Sequence, residues 1–165
     1  MSQKLKEKSL SPEVQVAAVG TRVSAGSIDL SEFDDRIRRA INAAADKKAI
    51  DLTVLDLRGV ATFTDFFVIS TGANKRQMQA ISDEVVDQLK RNGTPAARVE
   101  GYQNAEWVLI DYGDFVVHIF DDKARRFYDL EYLWREAKRL DIAPEILDSQ
   151  ISSSRSEDAS SLKED

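Results

Sequence analysis

The spacing of hydrophobic positions changes several times along the chain, and each change predicts an element. From Ser31 the apolar residues Phe33, Ile37, Ala40, Ile41, Ala44 and Ala45 recur at helical spacing. Asp34 and Asp35 lie in the first turn and Lys47 and Lys48 in the last, so period and dipole both predict a helix. Ile50 to Leu57 predicts a strand broken by Arg58-Gly59, and Val60 to Asp65 a Thr-rich connection. Phe66 to Thr71 (F-F-V-I-S-T) is apolar throughout and rich in aromatic and β-branched residues, which predicts a central strand buried on both faces. After Gly72-Ala73-Asn74, Met78, Ile81, Val85 and Leu89 mark a helix from Lys75 to Arg91, stopped by Asn92-Gly93. The return past Pro95 to a strand near Ala97 to Glu100 resembles a right-handed crossover unit. Beyond Phe120 a short helix is predicted over Lys123 to Tyr128, then a second turn or helix reaching about Leu140. Phe127, Leu130, Leu133 and Trp134 are expected to lie as a lid over the end of the sheet.

Between these elements, two apolar runs, Trp107 to Ile110 and Phe115 to Phe120, flank Asp111-Tyr112-Gly113-Asp114, which predicts a β-hairpin. If Tyr112-Gly113 is a two-residue loop, Asp111 pairs with Asp114, Leu109 with Val116 and Trp107 with His118, and these six share one face. A three-residue loop would pair Asp111 with Phe115 and send the second strand's side chains to opposite faces, leaving Trp107 and Leu109 together either way. Both faces of the hairpin are apolar, which requires something to cover each. The helices account for one; a Trp-Leu-Val surface edged by carboxylates and left uncovered has the character of a partner-docking site.

These elements predict a single α/β domain over residues 29–141, a mixed sheet of about five strands with flanking helices. Residues 1–28, a mixture of Lys, Ser, Gly and scattered Val, are expected to form a flexible arm, and residues 142–165 a serine-rich, acidic, disordered tail. The 165 residues suffice for one core. A formal net charge of -6 repels phosphate backbones, so little direct nucleic-acid contact is expected and a basic protein partner is favoured. Cysteine is absent, which removes disulfides, thiolate metal sites and a cysteine nucleophile. Apolar runs fall far short of the roughly 20 residues of a membrane span, and the N-terminus lacks the build of a secretory signal. The expected location is the cytoplasm, or an organellar stroma or matrix in a eukaryotic host.

Catalytic chemistry finds few footholds. His118 is the only histidine and lies within a strand; a Ser70, His118 and Asp arrangement lacks a G-x-S-x-G elbow and an oxyanion loop. The Ser70 to Asn74 turn has one glycine and matches no phosphate-binding loop, and no D-x-D pair follows a G-S turn as metal-dependent nucleotidyl transfer requires. Asp34-Asp35, Asp121-Asp122 and the Asp111/Asp114 pair suit helix caps and a solvated turn. No cofactor or metal is expected.

Three blocks in order, T-D-F-F-V-I from Thr64, W-V-L-I-D-Y-G-D from Trp107 and Y-D-L-E-Y-L-W from Tyr128, resemble the ribosomal silencing factor family, RsfS or Iojap. The resemblance implies a fold similar to nucleotidyltransferases without their catalytic apparatus. It implies no enzymatic activity but a factor that binds the large ribosomal subunit through its fourteenth ribosomal protein, blocks joining of the small subunit and represses translation, and that is often a homodimer when free. On this reading Trp107, Leu109, Val116 and Phe120 form the centre of the partner-binding face, Glu106, Asp111 and Asp114 its acidic rim, and Tyr112 and His118 complete the hairpin block. Two alternatives are a metal-dependent nucleotidyltransferase-type enzyme on the same fold and a hairpin face that serves only homodimerisation.

Overall fold

Long apolar runs bounded by glycine and carboxylates place two strands at the centre of the sheet. The structure, a computed structural model, describes residues 30–143; the expected arm (1–28) and nearly all of the expected tail (142–165) lie outside the described residues. Leu30–Glu32 form a single 3-10 turn. From Asp34 onward the elements are α1 (Asp35–Asp46), β1 (Ile50–Asp56), β2 (Phe66–Thr71), α2 (Lys75–Arg91), β3 (Arg98–Glu100), β4 (Trp107–Asp111), β5 (Phe115–Phe120), α3 (Asp122–Tyr128), α4 (Leu130–Leu133) and β6 (Lys138–Asp141). The sheet order is β3-β4-β5-β2-β1-β6. β2 and β5 pair in parallel and every other pairing is antiparallel, so the sheet is mixed. All six residues of β5 are buried, as are five of six in β2, the pattern of strands covered on both sides.

Local chemistry fixes the helices. Asp34 caps α1 by accepting from the Arg36 amide, and Asn74 caps α2 by accepting from the Gln77 amide. Gly93, at φ +91°, provides the left-handed exit from α2. The alanine-rich stripe Ala40, Ala43 and Ala44 is fully buried where α1 packs against α2. The two helices cover the face that carries Val54, Val68, Val108, Ile110, Phe115, Val117 and Ile119, with α1 against β2 and α2 against β4 and β5.

The connection through α2 runs, as expected, between two parallel strands of one sheet, with β4 and β5 lying between β2 and the edge strand β3. Two expectations need correction. The sheet has six strands rather than five, because the segment expected to continue helically to Leu140 stops at Leu133 and returns as β6, paired with β1 from Lys138 to Asp141. A four-residue K-R-L-D strand carries no apolar alternation; pairing with the edge of β1 decides it. The hairpin takes neither expected register. Asp111 pairs with Val116, Leu109 with His118 and Trp107 with Phe120. The reason lies in the turn: the Tyr112 amide donates to the Phe115 carbonyl at 3.0 Å, the Asp111 carboxylate accepts from the Gly113 amide at 2.8 Å and Gly113 adopts φ +83°, so the reversal falls at Gly113-Asp114, one residue later than a Tyr112-Gly113 loop. A shift of two residues preserves side-chain parity, so Trp107, Leu109, Asp111, Val116, His118 and Phe120 still share a face.

Candidate functional site

The hairpin face opposite α1 and α2 is built on a cluster of Leu55, Leu57, Phe67, Ile69, Val116 and Phe120, with Ala124 of α3, Leu130 of α4 and Ala137 packed on it. The short helices therefore cover part of the surface expected to be open. Val116 and Phe120 are buried beneath them, and His118 is only 3 % exposed. Trp107 and Leu109 are half-buried at the margin of this cluster. The open apolar surface consequently continues from the hairpin onto neighbouring elements. Tyr128 flanks Trp107, Phe127, at 78 % exposure, contacts Tyr128, and Leu133 and Phe63 are exposed as well. Trp107 stacks on Phe120 at 5.1 Å and contacts Tyr128 at 4.6 Å between ring centroids. Phe63 contacts the half-buried Trp134 at 5.7 Å, and Phe67 joins Trp134 to His118 through centroid separations of 6.2 Å and 4.4 Å.

His118 pairs with Leu109 on β4 and with Ile69 on β2, which places it mid-sheet. The Trp107 indole N–H donates to its Nδ1 at 3.0 Å. Burial pushes the imidazole pKa down to about 3, so the ring is neutral at physiological pH. The remaining positions divide around this centre. Tyr112 turns to the opposite face, stacked on Phe115 at 4.8 Å, and burial raises its phenol to about 12. Asp111 accepts an ion pair from Arg98 at 3.3 Å, Asp114 one from Arg36 at 3.0 Å, and Glu106 is exposed. The Arg36 guanidinium, bonded to both, joins the Asp34 cap to the Asp114 turn, and Arg36 holds the Asp34 carboxyl below the usual range.

Sequence reasoning missed Phe63 and Tyr128, whose only signal was an aromatic in a connection and one at a helix end. Phe127 and Leu133, expected as parts of a lid, point outward; Leu130 is the buried member.

The other concave feature lies at the carboxyl ends of the parallel pair β2 and β5, where the following helices α2 and α3 leave to opposite faces of the sheet. α/β enzymes commonly bind ligands in such a crevice. Here Arg125 lines it, its side chain only 10 % exposed, together with Ala45, Asp51, Thr53, Asp122 and Asp141, and the cleft beside it is open. The guanidinium donates to the Thr71 hydroxyl at 2.9 Å, the Thr53 hydroxyl at 3.1 Å, the Asp51 carbonyl at 2.6 Å and the Glu131 carboxylate at 2.9 Å. Thr53 in turn donates to Asp141 at 3.0 Å, which ties β6 into the network. Among the described residues no helix is long and apolar enough to cross a membrane.

Residues 31–165 match the family model described as ribosomal silencing factor during starvation, RsfS. The chain belongs to this family. It is 41% identical over 106 residues to ribosomal silencing factor RsfS of Halalkalibacterium halodurans, a match that covers 64% of this chain and 91% of that protein. The RsfS of Bacillus subtilis is likewise 41% identical over 106 residues, 64% of this chain and 90% of that one. Among solved structures, a protein of Chromobacterium violaceum superposes with a TM-score of 0.60 at 35% identity, covering 61% of this chain and 83% of that one. The RsfS family and the mixed α/β fold therefore agree with the reading of the three sequence blocks.

Proposed function

We propose that this RsfS-family chain docks the large ribosomal subunit through its fourteenth ribosomal protein and holds off the small subunit by bulk, repressing translation without catalysing a reaction. The observation that carries this reading is the half-buried pair Trp107 and Leu109 on one sheet face, with exposed Tyr128 against Trp107 and exposed Phe127 against Tyr128. A stable interface uses on the order of 800 Å² per partner with a few aromatic anchors at its centre. Trp107 and Leu109 are available as such anchors, while buried Val116 and Phe120 support them from beneath and His118 lies between. Glu106, Asp111 and Asp114 edge the face and would steer a basic partner and set orientation. The cytoplasm, or an organellar stroma or matrix, is the compartment in which such a partner is met.

The non-enzymatic reading is supported by Arg125, the buried basic side chain at the crevice beyond β2 and β5, whose donors are committed to the protein's own Asp51, Thr53, Thr71 and Glu131 rather than presented to a ligand. The homodimer belongs to the same proposal, as a free form that shields this face when no ribosome is present. Co-sedimentation with purified large subunits tests the docking assignment. Trp107→Ala combined with Leu109→Ala should weaken binding about 100-fold or more in a folded protein, since central aromatic anchors cost roughly 2–4 kcal/mol each on truncation. Full retention of binding by the double variant would remove the face from consideration.

A further inference from the structure

Resting on the docking assignment above, we propose that His118 is a positioning residue for that face: its Nδ1 fixes the orientation in which Trp107 is presented to the partner. The two residues are linked by the 3.0 Å bond from the indole N–H, which is a donor only. Nδ1 must therefore be the acceptor, and the neutral ring carries its proton on Nε2. That Nε2 is buried and has no hydrogen-bond partner among the described residues. A buried donor left unmade is costly, and a phenylalanine at this position would avoid the cost while keeping the aromatic contacts to Phe67 and Phe120. What imidazole supplies and phenylalanine cannot is the acceptor for the indole. Stacking on Phe120 and contact with Tyr128 hold the plane of the Trp107 ring, but they do not distinguish its two edges, which a flip about the Cβ–Cγ bond exchanges. The bond to His118 removes that freedom and turns the nitrogen edge toward a buried residue. A half-exposed indole could have satisfied its N–H with solvent. Here the anchor is oriented before the partner arrives, which lowers the ordering cost of docking.

Long-range 1H–15N correlation on the wild-type chain reads the imidazole tautomer directly: unprotonated Nδ1 and protonated Nε2 are expected, and an Nδ1-protonated ring would overturn the inference without any variant. His118→Phe should move the Trp107 indole N–H resonance upfield and speed its solvent exchange, leave the Trp134 resonance in place, and weaken binding to purified large subunits about tenfold. His118→Asn, whose Oδ1 reaches the position of Nδ1, should restore both the resonance and most of the affinity. If the wild type binds and Trp107→Ala does not, but His118→Phe binds like wild type, the positioning role is wrong while the docking assignment stands. If the wild type itself does not bind large subunits, the docking assignment fails and this inference fails with it.

Discussion

A neutral histidine in an aromatic pile ties the stability of this fold to pH. Burial takes the His118 pKa from 6.5 to about 3. Between those values the unfolded chain binds a proton that the folded chain refuses. Stability is therefore complete above pH 6.5 and falls as pH falls from 6.5 toward 3, by up to on the order of 3–5 kcal/mol. Urea unfolding of the wild type should show its midpoint dropping between pH 6.5 and pH 5, before most carboxylates titrate. His118→Phe should flatten that segment of the profile; an unchanged slope in the variant would assign the effect to other groups. The residue's place beside Trp107 was legible in the alternation of the strand, because parity survives a two-residue register shift. Its hydrogen bond was not: the expected register set the two residues directly opposite, whereas indole and imidazole meet across a diagonal, and alternation alone does not say which ring nitrogen accepts. Tyr112 shows the same limit from the other side. It was read as part of the hairpin block, and the shifted turn places it on Phe115 in the opposite layer.

At the level of elements, α3 and α4 decide how much of the face is open. They bury little apolar surface of their own, chiefly Ala124 and Leu130; Arg125 of α3 is joined to α4 by its ion pair with Glu131 and to β1 and β2 by hydrogen bonds to Thr53 and Thr71. Removing one partner of a buried pair costs about 3–5 kcal/mol, whereas replacing both with apolar groups of similar volume is close to neutral. Arg125→Ala should accordingly lower stability by that amount in denaturant unfolding, and Arg125→Met with Glu131→Leu should recover most of it. The turn that feeds β4 is equally constrained. Gly101 sits at φ +79°, and a Cβ there would lie 2.0 Å from the Trp107 carbonyl oxygen, a backbone atom that cannot yield cheaply. Gly101→Ala should cost at least about 2 kcal/mol by thermal unfolding and should displace Trp107, so binding falls further than the lost stability explains. Helices α1 and α2 and the strands β1 and β2 were legible because their periodicity or apolar run is long. The short helix α3 was legible too, from Asp121-Asp122 ahead of it, but the end of α4 and the strand β6 were not: four residues hold too little pattern, and pairing with the edge of β1 sets them.

For the molecule as a whole, one sheet face is closed by two long helices and the other only in part, by two short ones. That asymmetry leaves Trp107 and Leu109 half-buried beside exposed aromatics, in a family defined by ribosomal silencing. Arg125 at the crevice is committed to the protein's own groups, and on the proposed reading the face and the bulk behind it are what the fold acts with. Sedimentation of small and large ribosomal subunits through a sucrose gradient, with and without purified protein, measures that action. Wild type should shift joined ribosomes to free subunits and travel with the large one, and the Trp107→Ala, Leu109→Ala double variant should do neither. Joined ribosomes left intact by the wild type, or dissociated as well by the double variant, would contradict the account.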